Sequence, residues 1–191
     1  AEGIDVIHAQ FEEHRPDSLA PLAALLDGDE ARTSLVDRLR PSGDRRSDPS
    51  ADVEGGDREL VLDEAADALV ERSRRGRLVV VLDDTQWAGA AAMSVATRLV
   101  ARPGVDVHVV AITRPVGVAH RSFAPLVEAA VRAGSLTRIA LTGLDTHATA
   151  ALLEATAAHP LDDEARRLVS ELHRDTAGNP LFLGEAVRHL L

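Results

Sequence analysis

Apolar positions along this chain fall into two patterns, short unbroken runs and longer stretches at helical spacing. The clearest run is Leu78-Val79-Val80-Val81-Leu82, and it closes on a pair of carboxylates, Asp83-Asp84. A strand covered on both faces reads as continuous Val and Leu rather than as alternation, so residues 78–82 predict a buried parallel strand. Similar runs predict strands at 4–9, 105–113 and 137–141. Leu, Ala and Val recur at helical spacing over 19–26, 31–39, 59–75, 90–101 and 123–133. In the helix at 59–75, Leu60, Ala65, Ala68 and Leu69 can share a stripe. Arg72, Arg74 and Arg75 favour the negative end of its dipole, and Gly76 stops it. Strands alternating with helices at this spacing predict an α/β fold, a parallel sheet with flanking helices.

After Gly143 the strands cease. Asp145 can cap a helix running to about residue 158 and Asp162 another over 163–176, and Ala177-Gly178-Asn179-Pro180 breaks the chain before a last helix. Two parts are therefore expected, an α/β core over 1–142 and a helical part over 143–191. Residues 41–57, dense in Pro, Ser, Gly, Asp and Arg, predict a solvated loop.

Composition narrows the function classes. The 191 residues are 45% hydrophobic but only 2% aromatic, so a core must be built from Leu, Val and Ala. A net charge of -10 argues against direct contact of this segment with nucleic acid or an anionic membrane. The absence of cysteine excludes disulfides and thiolate metal sites and permits a cytoplasmic location. No apolar stretch approaches the ~20 residues of a membrane span, and Ala1-Glu2-Gly3-Ile4 lacks the basic and apolar regions of a signal peptide. The chain begins without Met and stops at Leu190-Leu191 inside a predicted helix, as a piece of a longer protein would.

Ligands of open α/β sheets bind outside the carboxyl ends of the strands, where Asp83 and Asp84 would emerge. An apolar strand ending in two acids has the form of a Walker B element, the magnesium side of a nucleotide site. A core strand that happens to end in an acidic turn reads the same way, and this stretch alone leaves both open. On the nucleotide reading, Asp83 helps hold the magnesium shell and Asp84 orients or deprotonates the attacking water. Arg114, at the end of an adjacent strand, offsets charge near the γ-phosphate; its alternative is a surface arginine at a strand terminus. Trp87, the only tryptophan, is expected to pack the turn against the following helix. Gly178-Asn179-Pro180 can be a helix stop and restart and nothing more. The eight histidines show no paired ligand spacing, and no serine lies in a GxSxG context. All 21 basic residues are arginine, so the chain cannot contain the GxxxxGK[ST] loop that cradles phosphates.

Taken together, LVVVLDDTQWA, AITRP and HRDTAGNPLFLGEAVRHL resemble the ATPase domain of the STAND branch of the AAA+ superfamily, most closely that of the large LuxR-type transcriptional regulators of bacteria. The likeness runs from Ile4 to Leu191. It implies a partial P-loop NTPase core, truncated before the strand that follows the Walker A helix, and then the start of a helical lid. It also implies ATP or ADP with Mg2+ as cofactors. By position it assigns Asp83 to magnesium, Asp84 to the catalytic water, and Thr113 and Arg114 to a sensor of the γ-phosphate. Gly178 and Pro180 go to the adenine pocket at the lid. Gly89 stands where the family carries an Asp, which leaves a weaker helix cap and one carboxylate fewer. In the family sheet the Walker A strand lies between the strands corresponding to 107–113 and 137–141. Without it those two would face a gap with unpaired backbone groups, so these residues alone are expected to bind ATP weakly or not at all and to be inactive.

Two functions of different class follow. One is a fragment of an ATP-dependent regulatory switch, which meets protein partners or further copies of itself through its parent. The other is a degenerate, nucleotide-free module that keeps the fold for protein contacts. Codons upstream of Ala1 separate them: a Gly-rich loop with GK[ST] supports the switch, and a start codon there supports the module.

Overall fold

A computed structural model describes residues 3–14, 54–114, 123–157 and 160–190 of the chain. The helices expected at 19–26 and 31–39 lie outside these residues, as does most of the loop expected at 41–57. The chain divides into two compact units, residues 1–136 and 137–191.

The first unit is α/β. Strands β1 (Asp5–Gln10), β2 (Leu78–Asp83) and β3 (Val107–Ala111) form a parallel sheet in the order β1-β2-β3. Ile7 is opposite Val80, and Val80 is opposite Val109. Parallel neighbours need a crossover rather than a hairpin. Helix α1 (Glu54–Ser73) precedes β2, and α2 (Ala90–Ala101) joins β2 to β3. Helix α3 (Ala124–Arg132) packs against α2, which also packs against α1. Arg98 pairs with Glu59 and Asp63, and Arg102 with Asp67, so α1 and α2 run in the same direction along their seam. Arg72, in the last turn of α1, closes two hydrogen bonds on the Asp5 carboxylate, that from Nη2 at 3.0 Å.

Several expectations are corrected here. Helix α1 starts at Glu54, taking in residues 54–57 of the segment expected to be loop. Its buried stripe is Val61, Leu62, Ala65, Ala66, Leu69 and Val70, whereas Leu60 is 59% exposed and Ala68 also faces solvent. Adjacent pairs recurring every four residues form the face that meets the sheet, and only Ala65 and Leu69 of the expected stripe belong to it. Strand β2 is not covered equally on both faces. Leu78, Val80 and Leu82 are fully buried under the helices, while Val79 and Val81 are half-buried. On that second face their neighbours Val6 and Val110 are 59% and 45% exposed. The unbroken apolar run therefore marks the central strand of the sheet, with β1 on one edge and β3 on the other, but its two faces are buried to different extents.

Residues 137–141 do not form a strand. They have no ladder partner among the described residues, and Ile139 and Leu141 are 78% and 90% exposed. An apolar, β-branched sequence becomes a strand only where another strand satisfies its backbone groups.

The second unit is helical: α4 (Thr146–Ala157), α5 (Asp163–Thr176) and α6 (Pro180–Leu190) pack on one another around Leu153, Leu161, Val169 and Val187. The aspartates identified in the sequence cap two of them. Asp145 Oδ1 accepts from the Ala148 N–H at 2.7 Å, and Asp162 Oδ1 accepts from the Ala165 N–H at 2.8 Å.

Candidate functional site

The acidic pair lies at the carboxyl end of β2, the central strand. Asp83 is its last residue, opposite Gln10 of β1. Asp83 Oδ1 accepts the Asp84 N–H at 2.9 Å. That contact accompanies a sharp turn, since Asp84 is left-handed, with φ 54 and ψ 42. Asp tolerates this region better than most residues because its short polar side chain bonds locally. A 3-10 turn over Thr85–Trp87 follows, and then α2, whose N-cap Gly89 supplies no side-chain bond. Trp87 packs its indole partly buried against the core.

The end of β3 reaches the same place. Past Ala111, the Ile112 N–H donates to Leu82 O at 2.8 Å, and Ile112 O accepts from both the N–H and the hydroxyl of Thr85 at 2.9 Å. Two residues on, Arg114 Nε stands 3.8 Å from Asp84 Oδ1. The acidic doublet and the guanidinium thus share one mouth at the C-terminal end of the sheet. Thr113 is exposed there, its hydroxyl 3.3 Å from Arg114 O and bonded to neither acid. Pro115 lies outside the described residues.

Two residues at the mouth were not singled out by the sequence. Gln86 donates from Nε2 to Asp84 Oδ1 at 2.7 Å and accepts the Arg114 N–H on Oε1 at 3.1 Å. His8 of β1 places Nε2 3.7 Å from Asp83 Oδ2. Its only sequence signal is the alternation of β1, which puts His8 on the face of Gln10, the residue paired with Asp83. That signal becomes legible once β1 is known to lie beside β2.

Gly178 and Pro180 belong to the second unit, in the turn between α5 and α6. Ala177 (φ 49) and Gly178 (φ 70) are both left-handed. The Gly178 N–H bonds to His173 O at 3.1 Å, as in a glycine-ended helix. Asn179 Oδ1 accepts the Leu181 N–H at 3.0 Å, and Pro180 opens α6. The turn also holds the chain that enters α4: Gly178 O accepts the Leu144 N–H at 2.8 Å, and His173 Nε2 donates to Leu144 O at 3.0 Å. These bonds are what a helix stop and restart requires. Gly178 is buried, and Pro180 is exposed.

Magnesium usually takes one or two carboxylates together with waters and substrate phosphates rather than a full protein cage. Asp83 and Asp84 suit that donor set. Among the described residues no group of three or more His, Asp or Glu could hold a metal ion unaided. Also among the described residues, no helix is long and apolar enough to cross a membrane. Compared with known protein families, characterised proteins and solved structures, the chain matches none.

Proposed function

We propose that these residues are part of an ATP-binding and ATP-hydrolysing regulatory switch, a P-loop NTPase of the STAND type such as large LuxR-type regulators carry, acting in the cytoplasm. The observation that supports this most is the common mouth, where Asp84 Oδ1 and Arg114 Nε stand 3.8 Å apart at the C-terminal end of parallel strands. Phosphoryl transfer asks little of a protein beyond positioning and charge stabilisation. Asp83 Oδ1 is engaged by the Asp84 N–H, so Oδ2, with His8 Nε2 3.7 Å away, is the oxygen that would hold a water of the metal shell. Asp84 would orient the attacking water or take its proton. Arg114, with 74% of its side chain exposed, is free to swing from Asp84 toward a phosphate. Bound magnesium would supply the charge that draws phosphate oxygens to this mouth. With no lysine among the 191 residues, the phosphate cradle has to come from outside them.

The test uses the protein with that cradle present. Asp84→Asn should lower ATP turnover about a hundredfold or more while leaving ATP binding largely intact. Unchanged turnover would remove Asp84 from this role. The 191 residues alone should show no micromolar affinity for Mg-ATP by calorimetry, and a micromolar constant would mean that the phosphates are held without a Walker lysine.

A further inference from the structure

We infer that Gln86 is the positioning residue of this mouth, a clamp that joins the Asp84 carboxylate to the end of β3 and determines which Asp84 oxygen remains open. Gln86 is 4% exposed, and a buried amide is costly unless both its ends are bonded. Both are. A carboxylate only accepts and a backbone N–H only donates, so the partners fix the amide orientation: Nε2 toward Asp84 Oδ1 at 2.7 Å, Oε1 toward the Arg114 N–H at 3.1 Å. The left-handed Asp84 turns the chain so that a side chain two residues ahead can reach back to it.

Together with its neighbour, Gln86 extends the ladder beyond the last β2–β3 pair. Thr85 binds Ile112 O through its N–H and hydroxyl, and the Gln86 amide takes the next inward N–H, that of Arg114. The acid and the arginine are therefore linked twice, once through the amide and once across 3.8 Å between their charged groups. Both links use Asp84 Oδ1. Oδ2 has no partner among the described residues, which leaves it as the oxygen for a ligand. Gln86 supplies no chemistry itself. It holds the working carboxylate in one rotamer and fixes the Arg114 backbone beside it. This role builds on the proposed nucleotide reading, but the clamp exists without nucleotide and can be measured without it.

The test is hydrogen exchange by NMR on the 191-residue chain. Gln86→Met keeps the length and removes both bonds; the Arg114 amide should then exchange roughly three- to tenfold faster, the size of one lost hydrogen bond, while the Ile112 amide stays unchanged. With Gln86 intact, Asp84→Gly keeps the left-handed turn and removes the acceptor, so the Gln86 side-chain NH2 should lose protection by a similar factor. Arg114 exchange within about twofold of the parent in Gln86→Met, or an unaltered Gln86 NH2 in Asp84→Gly, overturns the clamp. In the protein with its phosphate cradle, Gln86→Met should lower kcat at unchanged KM. A raised KM with kcat preserved would make Gln86 a nucleotide contact instead. Absence of turnover in the unaltered protein would defeat the proposed function and leave the exchange result standing.

Discussion

A methyl group on Gly178 would stand 2.1 Å from the carbonyl oxygen of Leu144. The obstacle is backbone, held by the bond from Leu144 N–H to Gly178 O, so it cannot swing aside as a side chain would. Gly178 also has a φ of 70, where any Cβ is strained. Gly178→Ala should cost the second unit about 2–4 kcal/mol, from overpacking and strain together. Urea denaturation measures this, and an alanine variant with the parent's midpoint would mean that the turn and the Leu144 segment are not in contact. Exposed Pro180 is consequently the cleaner probe of any adenine contact, because Pro180→Ala should change stability by less than about 1 kcal/mol.

Ala177 lies beside it at φ 49, with a Cβ in a region that favours glycine. Ala177→Gly should raise stability by about 0.5–1 kcal/mol, since relief of left-handed strain outweighs the added freedom of the unfolded chain. A higher melting temperature is the expected result, and a lower one would place Ala177 outside the left-handed region.

Thr149 on α4 is fully buried and its hydroxyl has no hydrogen-bond partner among the described residues. Thr149→Val keeps the shape and removes the orphaned group, so stability should hold or improve by up to about 1–2 kcal/mol. A loss exceeding 1 kcal/mol in thermal unfolding would reveal a bond partner for the hydroxyl, such as a buried water.

The Arg72–Asp5 pair sets an acid limit on the first unit. Hydrogen bonding from Arg72 is the chief cause that lowers the Asp5 pKa, with its charge adding to the effect and burial opposing it. A carboxyl with a lower pKa folded than unfolded binds fewer protons when folded. Its stabilisation is complete above the ordinary Asp value of about 3.9 and fades as pH falls through the lower folded value. The effect is modest because the Asp5 side chain is 41% exposed and screened by solvent. Denaturation curves for Asp5→Asn should converge on those of the parent as pH falls from 5 to about 2. A constant difference across that range would dissociate the pair from acid unfolding.

The sequence disclosed the elements better than their faces. Asp145 and Asp162 mark two helix starts, and the apolar run before Asp83 marks β2, because caps and continuous apolar runs are local signals. The docked face of α1 is tertiary: Leu60 and Leu62 are equally apolar, and only the sheet decides that Leu62 turns inward. Leu62→Ala should accordingly cost about 2–5 kcal/mol and Leu60→Ala less than about 0.5 kcal/mol. Equal costs in chemical denaturation would return the stripe to its expected place. Residues 137–141 failed as a strand for the same reason, since their apolar sequence does not supply a neighbour. In the site, Asp83, Asp84 and Arg114 were legible from strand ends. Gln86 was not, because its importance arises from a side-chain path between two residues 30 positions apart, Asp84 and Arg114.

Trp87 gives the mouth an intrinsic optical reporter. The chain has a single tryptophan, one residue past Gln86, whose backbone N–H donates to the carbonyl of Asp84 at 2.9 Å. Since there is no tyrosine, ultraviolet emission from this protein comes almost entirely from that ring. Any rearrangement of the acidic turn is therefore expected to register as a spectral shift, with no dye attached and no background to subtract.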